Sequence, residues 1–302
     1  KPVHEYAARE LWDAIAEAAH FCGDPGLQFD TITNKWNPCA NSGRINASNP
    51  CSEYLFLDNT ACNLGSFNLT KFYNDGNFDI NDFVMACRVC ITAMECLVGL
   101  SSYPSPEITQ NSVDFRPLGI GYANLGALLM EMGLAYDSTE GRTVAAEITA
   151  LMSGISYHQS ALMAKAIGPF NKYALNVTPM RQVIALHADA ANDLIDDSSC
   201  SAIAKAADLA WKLAREAGRE HGFRNSQISV MAPTGTIAFM MDCDTTGIEP
   251  MLNLMVHKKL VGQGVLKMPN AAVPRALRKL GYPESTIDVV LQNISALGTV
   301  ES

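Results

Sequence analysis

Gln227-Ile-Ser-Val-Met-Ala-Pro-Thr-Gly-Thr-Ile-Ala238 is the stretch on which the fold turns. Gln227 to Met231 is a short run rich in apolar residues, bounded by Pro-Thr-Gly-Thr, and reads as a strand. The apolar residues that follow the turn suit a helix. A Gly/Thr turn at a helix N-terminus offers free backbone N–H groups, two hydroxyls and the positive end of the helix dipole. Pro233, Thr234, Gly235, Thr236 and Ile237 are therefore candidates for holding a phosphate. No Gly-Lys-Ser/Thr follows, so this is not a Walker loop. A plain N-cap in a tight turn would carry the same residues.

Working outward, helical periodicity marks Ala7 to Phe21, Asn81 to Leu100, Tyr122 to Met132, Ser201 to His221 and a last helix from Pro283-Glu284. Asp137 with Glu140 predicts a capping box for a long helix running to about Ile167. Tyr54 to Leu57 and Arg116 to Ile120 join Gln227 to Met231 as strand candidates. Strands alternating with helices predict an α/β architecture with parallel strands. Phe29 to Asn49 reads as a long Asn/Gly/Ser/Pro loop, and such loops are often functional. Gly119-Ile-Gly121 lacks the third glycine of a dinucleotide fingerprint, so close packing of strand and helix explains it better.

The chain has 302 residues, a net charge of -9 and 48% hydrophobic residues. It can bury a sizeable core. Its acidic balance, with Lys and Arg unclustered, argues against direct nucleic-acid binding. No 18-residue apolar run is free of polar interruption, which rules out a membrane span. Nine cysteines at irregular spacing do not resemble a secreted disulfide framework, so a reducing cytoplasm is expected. The chain starts Lys1-Pro2-Val3 without Met, which reads as an excerpt or a processed piece.

The main chemical constellation is Asn46-Ala-Ser48-Asn49-Pro50-Cys51-Ser52-Glu53-Tyr54. In an extended segment, Asn49, Cys51 and Glu53 would project to one face. They would offer an amide, a sulfur and a base together, equipment suited to vicinal hydroxyls. A buried structural Cys in an Asn/Pro turn would fit the same spacing. Cys62, in Asn59-Thr-Ala-Cys62-Asn63-Leu-Gly65-Ser66, follows by eleven residues, and a hairpin-like return would bring both thiols to one site. Cys87-x-x-Cys90, with Cys96 beyond, lies within a helical stretch and reads as packing, and no metal site is expected. The six histidines form no i,i+4 pair and read as surface or capping residues.

Together, Asn49-Pro-Cys-Ser-Glu53, Ala61-Cys-Asn-Leu-Gly-Ser66 and Ala232-Pro-Thr-Gly-Thr-Ile237, in that order, resemble the large catalytic chain of ribonucleotide reductases. The likeness is greatest to the adenosylcobalamin-dependent (class II) branch. Asp24 to Asp30, Gly43 to Ser48, Phe115 to Gly121 and Met241 to Pro250 agree, so the resemblance covers essentially the whole chain. It implies a ten-stranded α/β barrel with a central finger loop, of which residues 1–302 would be a part, incomplete at both ends. It implies that Cys51 carries a thiyl radical generated by adenosylcobalamin and abstracts the 3′ hydrogen of a ribonucleoside diphosphate. Glu53 would take the 3′-hydroxyl proton, and Asn49 would hydrogen-bond the substrate hydroxyls. Cys62 would be one of two reducing thiols that end as a disulfide. Ser48 and the turn from Pro233 to Ile237 would bind substrate.

The second reducing cysteine of the family lies upstream of the finger loop, and neither Cys22 nor Cys39 has its context. The other seven cysteines are read as packing. Expected partners are a thioredoxin-like or dithiol reductant, the missing barrel segments and a second copy in a homodimer of the intact enzyme. Two rivals stand beside this reading: a non-catalytic half of a split or truncated reductase, and a barrel enzyme of the glycyl-radical type.

Overall fold

The computed structural model describes residues 4–194, 201–259 and 265–300, with backbone only at 256–259 and 265–268. Cys200 and the segment Lys1-Pro2-Val3 lie outside the described residues.

Residues 1–36 form one compact unit. It holds α1 (Ala8–Cys22), ended by Gly23 in the left-handed conformation, and α2 (Asp30–Lys35). The α2 turn falls inside the segment predicted to be a loop; Asn34 Nδ2 donates to both the carbonyl (3.1 Å) and the carboxylate (3.0 Å) of Asp30, which secures this single turn.

Residues 37–302 form the second unit. In chain order it contains β1 (Asn63–Asn68), β2 (Tyr73–Asn74), β3 (Asn77–Phe78), α3 (Ile80–Leu100), α4 (Pro106–Phe115), β4 (Leu118–Ala123), α5 (Leu125–Glu131), α6 (Thr139–Ile167), α7 (Tyr173–Asn192), α8 (Ala202–His221), α9 (Thr236–Met240), β5 (Met255–Lys259), β6 (Val265–Pro269), α10 (Ala272–Lys279) and α11 (Glu284–Leu297). β1 and β4 pair in parallel, from Asn63↔Leu118 to Asn68↔Ala123, with α3 and α4 in the crossover. This is the parallel α/β arrangement that the alternation predicts. β2 with β3 and β5 with β6 form antiparallel hairpins. No closed barrel forms among the described residues.

Several boundaries differ from the sequence reading. The strand predicted over Arg116 to Ile120 runs from Leu118 to Ala123, every residue buried, and the following helix starts at Leu125 rather than Tyr122. Asn124, at φ 70°, makes the break: its Oδ1 accepts from the N–H groups of Asp244 and Thr245, both at 2.9 Å. Arg116 closes α4 in the left-handed conformation. Gln227 to Met231 forms only one bridge, Ile120↔Ser229, although Ile120 N donates to Ile228 O and Val230 N to Ile120 O, so it runs as a third parallel segment beside β4. Tyr54 to Leu57 is not a strand; it holds one antiparallel bridge, Ser48↔Leu55. The cap of α6 is Ser138, whose Oγ accepts from Gly141 N (2.9 Å), not Asp137.

The core gathers Leu118, Ile120 and Leu128 with Leu151 and Met152 of α6, all fully buried. Phe83 stands edge-on to Phe72 (5.1 Å), Phe78 (5.2 Å) and Phe67 (5.6 Å), which anchors α3 over the β2–β3 hairpin. α6 and α8 pack closely at Gly154, where a β-carbon would come within 3.0 Å of Ala210 and Trp211. α3 has a mean hydropathy of 1.8 and, by length and composition, could cross a membrane. One face of it is buried, and Glu95 on that face is ion-paired inside the protein.

That ion pair is the centre of a polar knot. Glu95 Oε1 accepts from Arg116 Nε (2.5 Å) and Arg224 Nε (2.7 Å), and Oε2 accepts from Asn225 Nδ2 (2.6 Å). Asn225 Oδ1 accepts from Ser160 Oγ (2.8 Å). Four distant segments are thereby locked together behind β4, with both carboxylate oxygens satisfied.

Candidate functional site

Residues 49–52 form a tight turn, not an extended segment. Asn49 N donates to Tyr54 O (3.2 Å), Ser52 N donates to Asn49 O (3.0 Å), and Ser52 takes φ 65°. Asn49 Oδ1 accepts from Tyr54 N (3.0 Å), so this amide oxygen holds the turn. The one-face arrangement expected of Asn49, Cys51 and Glu53 is therefore only partly realised: Cys51 and Glu53 line a common cavity and Asn49 does not. Ser48 Oγ donates to Asn49 O (2.9 Å) at the base of the turn.

Cys51 is exposed at the turn tip. It opens onto a cavity of about 1020 Å³ whose walls come from Tyr122, Thr149, Ser153, His187, Trp211 and Ser229, among others. Hydroxyls line it: Tyr122 Oη pairs with Thr149 Oγ1 (2.7 Å), and Ser153 Oγ donates to Ser229 Oγ (3.1 Å). Among the described residues, Glu53 Oε2 is buried and has no hydrogen-bond partner. A carboxylate oxygen left in that state is costly and has room for an incoming hydrogen-bond donor.

Tyr54 ties this turn to the segment that leads to Cys62. Its hydroxyl meets Thr60 Oγ1 at 2.9 Å, and Thr60 itself donates to Leu57 O (2.6 Å), so the tyrosine is the donor. Burial, foremost, drives the Tyr54 phenol well above its ordinary range. Cys62 lies just before β1, half-buried, and does not line the cavity. Burial pushes its thiol up to about 12, with the nearby Glu53 charge adding to the effect. The expected hairpin return thus brings Cys62 toward Glu53, but not to the cavity wall where Cys51 sits.

The turn from Pro233 to Ile237 precedes α9, a helix of five residues capped by Gly235. Thr234 is buried, at φ 47°, and its Oγ1 is 2.7 Å from Ser66 Oγ of β1. Its hydroxyl is engaged within the protein. Pro233, Gly235, Thr236 and Ile237 are exposed. The adjoining Met231 lines the cavity, and none of the five turn residues does. Below the turn, Asn68 Nδ2 donates to Met241 O (2.9 Å) and Asn124 Nδ2 to Asn68 Oδ1 (2.9 Å), tying the ends of β1 and β4 to the loop after α9.

Two readings of residue classes are corrected. His187 is not a surface or capping residue: it stacks on Trp211 (5.4 Å, 15° between rings) in the cavity wall, and burial lowers it to about 4. No local pattern joins these two, which come from α7 and α8. Cys22 and Cys96 are exposed and so are not packing residues, whereas Cys39 and Cys87 are buried, with the Cys39 thiol raised to about 12 chiefly by burial. Gly119 and Gly121 do serve close packing, but against Cys62 and the backbone of Val230 rather than a helix.

Comparison with known proteins gives a consistent result. The family model for the ribonucleotide reductase barrel domain matches residues 2–301. A vitamin B12-dependent ribonucleotide reductase from Rhodopirellula baltica is 50% identical over 305 aligned residues, covering 100% of this chain and 29% of its own length. One from Streptomyces clavuligerus is 47% identical over 304, covering 99% and 32%. A vitamin B12-dependent ribonucleoside-diphosphate reductase from Mycobacterium tuberculosis is 31% identical over 282, covering 93% and 35%. The chain spans about a third of the length of these relatives.

Proposed function

Because the chain belongs to the ribonucleotide reductase barrel-domain family, we propose that it carries the radical site of a vitamin B12-dependent ribonucleoside-diphosphate reductase. β1, β4 and the segment 227–230 are, on this reading, part of a ten-stranded barrel, with residues 46–54 as its finger loop. The observation that carries the proposal is the pairing at the cavity mouth: an exposed thiol, Cys51, two residues from a carboxylate whose buried oxygen has no partner among the described residues.

The accessible Cys51 sulfur at a roomy, largely apolar cavity fits adenosylcobalamin as the radical source. When bound, that cofactor supplies the oxidising equivalent that turns the Cys51 thiol into a thiyl radical, by homolysis of its cobalt–carbon bond. The Cys51 sulfur then takes the hydrogen from C3′ of the ribose. Glu53 Oε2 receives the 3′-hydroxyl proton. Asn49 has spent its oxygen on Tyr54 N, so its NH₂ group is the part left to hold a substrate hydroxyl. Cys62, held as a thiol by burial, is one of two thiols whose hydrogens reduce the sugar. The overall balance is one C–OH and two S–H consumed, and one C–H, one disulfide and one water formed. A dithiol reductant restores the thiols.

On this reading the substrate phosphates fall to the backbone N–H groups of the exposed residues Gly235, Thr236 and Ile237, at the start of α9, where first-turn donors lack intrahelical acceptors. With Thr234 engaged by Ser66, its part is to shape the turn. Ser48, whose hydroxyl donates to Asn49 O, can accept a hydrogen bond from substrate. The free thiols support a cytoplasmic setting for the enzyme.

The test is Cys51→Ser in the protein as the cell makes it, assayed with adenosylcobalamin, a ribonucleoside diphosphate and a dithiol. Turnover should fall by about 10³-fold or more while nucleotide affinity stays within a few-fold. Appreciable deoxynucleotide formation by the variant would sink the assignment.

A further inference from the structure

Gly119 is the second residue of β4 and pairs with Leu64 of β1. Glycine inside a strand weakens it, and is kept there where a bulge or a close approach requires it. Backbone conformation is not the reason here, since Gly119 is not among the positive-φ residues. Space is. A β-carbon on Gly119 would overlap Cys62 Sγ, and would stand 2.7 Å from Leu64 Cδ2 and 3.0 Å from Val230 Cγ2. The Cys62 sulfur therefore occupies volume that any other residue at 119 would claim.

The neighbouring glycine has a different cause. A β-carbon on Gly121 would overlap the backbone carbonyl of Val230, so Gly121 serves the pairing of β4 with the segment 227–230 and has no bearing on the thiol. Val230 touches both stories: its side chain flanks Gly119, and the residue lines the cavity that Cys51 opens onto.

We propose that Gly119 is a positioning residue, whose bare α-carbon lets the Cys62 thiol lie against β4 beside Val230. This deepens the reading of Cys62 as a reducing thiol and rests on it. Alanine at 119 would turn the sulfur away from β4. Substrate binding does not depend on that sulfur, whereas reduction does.

The experiment compares Gly119→Ala and Gly121→Ala, each with Cys62 intact and with Cys62→Ala, in the protein as the cell makes it. Without any cofactor, Gly119→Ala should lower Tm by several degrees when Cys62 is present, and by half that or less in the Cys62→Ala background. Gly121→Ala should cost the same in both. In the assay with adenosylcobalamin, ribonucleoside diphosphate and dithiol, Gly119→Ala should lower kcat by about tenfold or more with KM within twofold. Adding Leu64→Ala, which relieves the Leu64 clash alone, should not restore kcat. If Gly119→Ala does not fold, the double variant with Cys62→Ala should; failure of that rescue overturns the proposal. An equal Tm cost in both Cys62 backgrounds, or restoration of kcat by Leu64→Ala, also overturns it and leaves the role of Cys62 untouched. Wild-type turnover by Cys62→Ala would instead overturn the reading of Cys62 on which the proposal rests.

Discussion

Two carboxylates with buried oxygens in this protein, one in a buried residue and one in a half-buried residue, stand in opposite conditions. Glu95 accepts from two guanidinium groups and an amide, and neither oxygen is left over. Glu53 has an oxygen that is equally hidden and, among the described residues, has no donor at all. A fully paired carboxylate in a dry interior pins segments together, and breaking it costs the desolvation of whatever charge is stranded. An unpaired one beside a cavity holds no segments together and is available to chemistry. The same side chain thus serves structure at one site and, on the proposed reading, proton transfer at the other, and hydrogen-bond satisfaction separates the two.

Isosteric substitution breaks or sharpens this contrast. Glu53→Gln should reduce turnover by about 10²–10⁴-fold, the usual contribution of a general base, with Tm close to wild type. Glu95→Gln should do the reverse. It strands Arg116 and Arg224 against an amide, and stability should fall by about 3–5 kcal/mol in chemical denaturation. Folded Glu95→Gln should keep its KM. A large loss of stability in Glu53→Gln, or none in Glu95→Gln, would show that pairing does not separate the two roles.

The contrast also explains what could be read in the chain beforehand. The parallel α/β class was legible, because strand–helix alternation is a local signal and the hydrophobic periods of α3, α6 and α8 are long. β1 was not, since Asn63-Leu-Gly-Ser-Phe-Asn68 has neither β-branched residues nor clean alternation and is a strand because Leu118 to Ala123 lies beside it. The thiol, the carboxylate and the Gly/Thr turn announced themselves by residue type and spacing. What escaped was geometry set by distant partners: the spending of Asn49 on Tyr54, the engagement of Thr234 by Ser66, and the stacking of His187 on Trp211. Glu95 gave no sign of its role either, because its partners are 21, 129 and 130 residues away.

The smallest expected effect compares the two thiols of the site. Cys51 is exposed, while Cys62 is half-buried and raised to about 12 by burial, then by the Glu53 charge. Thiolate is the species that alkylating agents attack, so the exposure of Cys51 favours it while burial holds Cys62 back as a thiol. With the unmodified, cofactor-free protein at pH 8, iodoacetamide should label Cys51 at least about tenfold faster than Cys62, read by peptide mass spectrometry. The sign of the pH dependence follows from the same shift. Below about 9 the thiol is protonated in both the folded and the unfolded chain and costs nothing; as pH climbs from about 9 toward 12 the unfolded chain ionises while the buried thiol does not, so stability falls. Glu53→Gln removes the lesser cause and leaves burial in place, so it should speed Cys62 labelling only modestly and leave Cys51 first. If the variant reversed the order, the Glu53 charge rather than burial would be what keeps the Cys62 thiol protonated.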